Sequence, residues 1–441
     1  MLGSPWSDGA PGVSQRPIPR GHSFTYRWTA TIHGSYWYHS HSRHQIEDGL
    51  FGALVVDPYP DAPKPFGEIS TRALAVKAMD AADRSAHALL LSDFRNTTGD
   101  EAWEITQLAE LDPACWDSIL INGKGKVTCP DPSNIDSLLS DLQRTQLGRM
   151  NVTMTSKGCY PPQLMALAWN GRGNGSAVPH HMFEECQATE GTQEVVRVRH
   201  RSSCADESWV ALHFIGAFQS LTAAVSIDEH PMWVYAVDGG YVEPRQVQAL
   251  TVTNGERYSV LVQANRAGQF AIRVASVNDP QIIVGHATLD VEIGGVAAGG
   301  RRPAPAGTLH QRRGEADVGR RGVLRPDVGE TMGNAQPAYI WSMNSTPLES
   351  ASLEDRVPFL LDPQPAVNLT VATANDTWVD LVLVTHASPN PAHPIHKHGV
   401  KMHLLGVGYG PWTWSSVEEA AAQNPAAFNL VDPRSRMASR P

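Results

Sequence analysis

Between residues 21 and 57 the chain alternates aromatic or apolar side chains with polar ones, as in Phe24-Thr25-Tyr26-Arg27-Trp28. A period of two places alternate side chains on one face of an extended strand, so this pattern predicts half-buried β-structure. Residues 50–56 are apolar almost throughout and stop at Asp57-Pro58, which reads as a buried strand ended by a turn. A second block, 89–290, contains further short β-branched runs. Among them are 248–252 and 258–262, with Asn254-Gly255 between them as a hairpin-type turn signal. A third block begins near Tyr339 and includes the run 377–384. Helices are expected only at the periphery, with 133–147 and 416–422 as the best candidates. Strands at this spacing predict an all-β protein of Greek-key β-sandwiches in three blocks.

Composition supports that picture and narrows the function. The 441 residues are 41% hydrophobic and 18% charged, enough apolar surface for sizeable cores. Thirty-seven glycines and 32 prolines favour turns and short strands over helical bundles. A net charge of −10 argues against a nucleic-acid partner, which needs a basic face. No apolar run approaches the ~18 residues that span a bilayer, and no leader-like segment opens the chain. Residues 294–330 break the strand pattern. Their 301–325 stretch holds seven arginines among Gly, Pro and Ala, and reads as a flexible interdomain linker rather than a basic interaction tail. The expected division is 1–65, 66–293, a linker at 294–336, and 337–441. The first block is short of the ~100 residues of a complete sandwich, so apolar surface around Trp28, Trp37 and Phe51 is expected to lie uncovered.

Cys115, Cys129, Cys159, Cys186 and Cys204 form no CxxC pair, which disfavours a zinc ribbon or thioredoxin-like site. Their odd number leaves at least one without an intramolecular partner, and spacing does not fix the pairing. Six Asn-x-Ser/Thr sequons, at Asn96, Asn151, Asn174, Asn344, Asn368 and Asn375, point to a glycosylated parent protein passing through a secretory, oxidising compartment.

The histidines carry the chemistry. In the segment 34–41, GSYWYHSH, His39 and His41 share one strand face and present two imidazoles side by side. One such pair is weak evidence, because neutral imidazole suits Cu, Zn, Fe or Ni and surface histidines are common. A second cluster, His393-Pro394-Ile395-His396-Lys397-His398, changes the weighing. His396 and His398 again share a face, while His393 sits at an odd offset. The spacing therefore predicts two metal loci, one served by His393 and one by His396 and His398. The two HxH pairs are expected to meet at the junction of the first and third blocks. His180 and His181 read as solvated loop. His33, His44 and His403 flank the clusters as candidate partners of the ligands.

These segments together resemble the multicopper oxidases, in particular the fungal branch of laccases and ascorbate-oxidase-like enzymes. The resemblance rests on residues 4–15, on GSYWYHSH followed by Asp48-Gly49-Leu50, on 237–262, and on HPIHKHG running towards Val431. It implies three cupredoxin-like domains holding a blue copper that accepts single electrons and a three-copper cluster that reduces O2 to water. The partners it implies are a small-molecule reductant and O2. By the same resemblance His39, His41 and His398 match ligands of the paired coppers, His396 matches the third cluster copper, and His393 matches the blue copper. Asp8 matches an acidic residue that helps deliver protons, although a turn-forming Asp-Gly explains it equally well. The donor is not fixed: phenols, ascorbate, pigment precursors and Fe(II) are all oxidised in the family.

Departures from the family pattern shape a further expectation. No HWHG motif precedes residue 4, no histidine follows His403, no cysteine follows Cys204, and Arg16 stands where relatives commonly carry cysteine. The blue-copper site needs a Cys sulfur beside its imidazoles. The chain therefore reads as a fragment truncated at both ends, with incomplete first and third domains and no oxidase activity of its own. A non-catalytic, cupredoxin-type copper-binding relic is the competing reading. A cupin-like site built on His39, His41 and Glu47 is a weaker one.

Overall fold

The computed structural model describes residues 6, 8–42, 44–168, 173–200, 207–277, 280–294, 327–330, 341–343, 346–347, 356–362, 378–385, 394–399, 401–408, 410–431, 433–436 and 438–439. Its first sheet is an antiparallel pair, β1 (Gly34–His39) against β2 (Phe51–Val56), with Gly34 opposite Val56 and His39 opposite Phe51. Helices α1 (Phe66–Ile69) and α2 (Ala73–Arg84) lead to β3 (His87–Phe94). Then come α3 (Gly99–Ala109), β4 (Ser118–Ile121) and the short helices α4 (Ile135–Leu138), α5 (Asp141–Met150), α6 (Pro162–Ala168) and α7 (His180–Phe183). Strands β5 (Val195–His200), β6 (Trp209–Gly216), β7 (Ala223–Ile227), β8 (Met232–Val237) and β9 (Gly240–Val247) follow. The central block closes with β10 (Ala249–Val252), β11 (Arg257–Gln263), β12 (Gly268–Ser276) and β13 (Val284–Ile293).

Two sheets face each other there, in the orders β10-β7-β12-β13-β5 and β4-β3-β6-β11-β8-β9. Neighbours are mostly non-consecutive in sequence, as Greek-key crossovers require. Between the sheets lies the main core, with Leu212, Phe214, Val225, Val260, Ile272 and Leu289 all buried. Strand β6 shows why its sequence is apolar at nearly every position. Val210, Leu212 and Phe214 point into that core, while Trp209 and Ala211 point outwards against Phe66, Ala75 and Met79 of α1 and α2. A central strand buried on both faces loses its polar alternation.

Several expectations change here. The Asn254-Gly255 turn does not close a hairpin: β10 pairs with β7, whereas β11 pairs with β6 and β8. The turn carries the chain from one sheet to the other, and a local turn signal cannot tell these cases apart. The alternating stretch 21–33 finds no ladder partner among the described residues and lies exposed, with Trp28 at 38%. Trp37 and Phe51, expected to be uncovered, instead pack on Leu90, Ile215 and Ala217 of the central block. The candidate helix 133–147 splits at Leu139, which is extended. Ser140 then caps α5 by accepting from the Gln143 amide while Gln143 reaches back. The candidate at 416–422 is a helix over Val417–Gln423. Helices α2 and α3 were not expected, although Ala-rich composition and the Thr98-x-x-Glu101 capping box are legible signals for them. Asp327–Glu330, inside the expected linker, forms a strand between Trp341–Met343 and Val384–Thr385. The seven-arginine stretch 301–325 lies outside the described residues.

Two disulfides, Cys115–Cys159 and Cys129–Cys186, staple the α3–α7 segment. Cys204 lies outside the described residues.

Candidate metal centre

Strand β1 ends on His39, and the chain leaves the ladder at Ser40, so His41 extends beyond the sheet edge. From the third block, Ile395–His396 pairs with Ala438–Ser439, and His398 follows two residues on. The four rings come together in a closed circuit. Centroids are 6.3 Å apart for His39 and His41, 5.1 Å for His41 and His398, 4.9 Å for His398 and His396, and 6.4 Å for His396 and His39. The same-face spacing read from each HxH pair thus becomes a junction between distant parts of the chain.

Oxygen acceptors orient two of the rings. His39 Nδ1 lies 2.9 Å from the Ser40 carbonyl oxygen, so a proton there is donated to the carbonyl and Nε2 keeps its lone pair. His398 Nδ1 lies 2.6 Å from Asp8 Oδ2. The hydrogen bond from His398 holds the Asp8 carboxyl down to about 2, against the opposing effect of burial. The other nitrogen of that ring, His398 Nε2, is buried with no hydrogen-bond partner. A buried nitrogen left without a partner is costly, and a metal would take its lone pair. Burial lowers the proton affinity of His39 and His41, with neighbouring histidines adding to the effect. Both rings are thereby biased to the neutral, ligating form. This donor set fits a borderline cation such as copper. Among the described residues, no three His, Cys, Asp or Glu side chains already stand at chelating distance, so the rings border a shared space rather than a closed chelate.

His393 lies outside the described residues. The flanking histidines do not reach the circuit through any hydrogen bond seen among the described residues. His33 stacks on Tyr241 at 4.7 Å, and His403 Nδ1 is 3.5 Å from the Pro433 carbonyl. His44 pairs with Asp100 at 3.3 Å and packs on Trp103. His180, expected in a loop, opens the short helix α7 and pairs with Glu185 at 3.2 Å on the surface. Glu47, the acid of the cupin-like reading, forms an ion pair with Arg95 at 2.9 Å instead of joining the histidines. Sequence reasoning missed Tyr36, Asp238, Arg257 and Lys401, which lie behind the histidine pairs. Single polar residues dispersed along the chain carry no motif.

Strand-built blocks with Greek-key crossovers, pooling histidines at a junction between blocks, define the class: a multi-block, cupredoxin-like β protein. Family models described as multicopper oxidase match residues 1–61, 85–291 and 340–438. Laccase abr2 of Aspergillus fumigatus is 34% identical, over 96% of this chain and 74% of its own length. Multicopper oxidase MCE of Talaromyces pinophilus is also 34% identical, over 98% of this chain and 74% of its own. Among solved structures, the Botrytis aclada laccase superposes with a TM-score of 0.64 at 21% identity, covering all of this chain and 68% of that one. This chain belongs to the multicopper oxidase family. Its functional class is accordingly that of a copper oxidoreductase, with a reductant and O2 as the reacting partners. No helix among the described residues is long and apolar enough to cross a membrane.

Proposed function

We propose that this protein oxidises phenolic or similar small donors by one electron at a time and passes the electrons to O2, with His39, His41, His396 and His398 holding copper at the junction of its first and third blocks. The closed circuit of four imidazoles supports this reading most directly. Bound copper would supply the one-electron redox chemistry that no side chain here offers. The residues do the rest. Ser40 and Asp8 fix ring orientation, burial biases His39 and His41 towards the neutral form, and Asp8 holds a carboxylate one hydrogen bond away from the circuit. By the family resemblance we assign that carboxylate a part in passing protons towards O2. The odd offset of His393 from His396 suggests a separate metal locus, and the family resemblance makes that locus the electron-accepting copper.

The stretch from residue 1 to residue 441 contains these five histidines and no cysteine beyond Cys204. With no cysteine after Cys204 to supply a blue-copper thiolate, we expect residues 1–441 by themselves to bind copper without intense blue absorption, and the turnover proposed above only where such a thiolate is also supplied. The proposed division is 1–65, 66–293 and 337–441, joined through 294–336. The exposed sequon residues Asn96, Asn151 and Asn174 accord with a secreted, glycosylated parent protein. Copper titration with absorption spectroscopy and O2 uptake in the presence of a phenol tests the assignment. Copper binding that disappears in His41→Ala and His398→Ala supports it. Binding that ignores both substitutions, or intense blue colour in this stretch alone, overturns it.

A further inference from the structure

Behind the histidine circuit, all three blocks meet around one ring. Tyr36 lies in β1, three positions before His39. The Arg257 guanidinium stands 5.3 Å and the Lys401 ammonium 5.9 Å from the centre of that ring. Arg257 belongs to the central block and is fixed there. It is 3% exposed, pairs with the fully buried Asp238 at 3.3 Å, and donates through Nε to the Ser35 carbonyl of β1 at 3.0 Å. Lys401 belongs to the third block, three positions after His398, and its ammonium donates to the Asp238 backbone carbonyl at 2.8 Å. Each histidine pair therefore has an anchor three residues away, roughly 10 Å along an extended chain. The two anchors touch the same buried ion pair.

We propose that Lys401 is a positioning residue which, seated on Tyr36 and the Asp238 carbonyl, sets the spacing between the His39/His41 pair and the His396/His398 pair. The inference rests on the copper reading above and adds the element that registers the two halves of the site. Asp8 joins His398 to the first block only, and at the ligand itself. A cation held against an aromatic ring and a carbonyl, and partly shielded from water as half-buried Lys401 is, makes a stronger contact than one fully at the surface. Removing the charge frees the third-block pair to drift, while the central core, which Lys401 does not enter, keeps its packing.

Equilibrium Cu(II) binding, measured by chelator competition on the full chain, tests this. Lys401→Met, which keeps most of the stem and removes the charge, is expected to weaken Cu(II) binding about 10-fold or more. Tyr36→Leu is expected to do the same, and Lys401→Arg to retain most of the affinity. The thermal midpoint of the central block should not change in any of them, which separates positioning from a purely structural role. If Lys401→Met fails to fold, Tyr36→Leu decides. Wild-type Cu(II) affinity in both Lys401→Met and Tyr36→Leu overturns the inference even where His41→Ala and His398→Ala abolish binding. Unchanged binding in those two histidine variants overturns the copper reading, and this inference with it.

Discussion

Asp8 and Asp93 show how differently two carboxylates are used in one chain. Asp8 accepts from His398 Nδ1 and keeps that ring's other nitrogen free. Partners that orient a ligating histidine typically matter 10–100-fold for metal affinity. Asp8→Ala is therefore expected to weaken Cu(II) binding by about that factor, with Asp8→Asn intermediate because its carbonyl oxygen still accepts. Isothermal titration checks this, and equal affinity in all three proteins would remove Asp8 from the site. Asp93 is buried and accepts from the backbone amides of Gln219, Ser220 and Leu221. Burial pushes its carboxyl up to about 6 despite those three donors. A folded value above the unfolded one means the group binds its proton more tightly in the native state. Its contribution to stability is complete below about pH 4 and is lost as pH rises through about 6. The stability gap between wild type and Asp93→Asn should therefore narrow by at most roughly 3 kcal/mol between those limits. Urea unfolding at a series of pH values measures it, and a gap that widens with pH contradicts the assignment.

At the scale of elements, β1 and the α3–α7 segment matter most for holding the histidines. Gly34 starts β1 at φ +131°, and a Cβ there would sit 2.3 Å from the Gly239 Cα. Gly34→Ala combines a left-handed conformation with a backbone clash. It is expected to cost about 2–3 kcal/mol, seen as a lower urea midpoint and as faster hydrogen exchange in β1. An unchanged midpoint would mean that β1 is not pressed against the β8–β9 turn. The end of β3 and the start of α3 grip the loop after His41: Arg95 holds Glu47, and the Gly99 amide donates to Asp48 at 2.8 Å. The α3–α7 segment follows directly. Its satellite cores, around Leu147 and Tyr160 and around Met182 and Phe183, are small, so the disulfides carry much of its order. Closing a loop of 44 residues by Cys115–Cys159 stabilises by roughly 4 kcal/mol in the chain-entropy account. The double change Cys115→Ala and Cys159→Ala should lower stability by that order in calorimetry. No loss would place the order of the segment elsewhere.

Across the whole molecule the central block holds the principal core and both disulfides, while residues such as Ile18, Phe24, Trp28 and Ile32 of the first block stand exposed. Limited trypsin digestion should therefore leave the central block as the longest-lived fragment. Early cuts are expected after Arg20 and Arg27 and in the arginine-rich 301–325 stretch. Survival of an intact 1–60 segment beside a digested central block would contradict this account.

The chain's own residues determined the β-rich class, because period-two patterning and turn residues act within a few positions of each other. They also determined which histidines stand side by side, since HxH spacing in an extended segment leaves little choice of face. The resemblance carried by GSYWYHSH and HPIHKHG was legible for the same reason: both motifs are contiguous. Other features depended on contacts between distant positions. The turn at Asn254-Gly255 joins two sheets because β10 and β11 find better partners elsewhere in the sandwich. Trp37 and Phe51 are covered because β1 and β2 lie against β3 and β6. The pairing of His398 with Asp8 spans 390 positions, and that of Lys401 with Asp238 spans 163. Local propensity and spacing weaken as sequence separation grows, whereas burial and charge pairing depend only on distance in the folded chain. That is why the ligand pairs could be read from the sequence, and why the residues that bring them together appeared only in the tertiary structure.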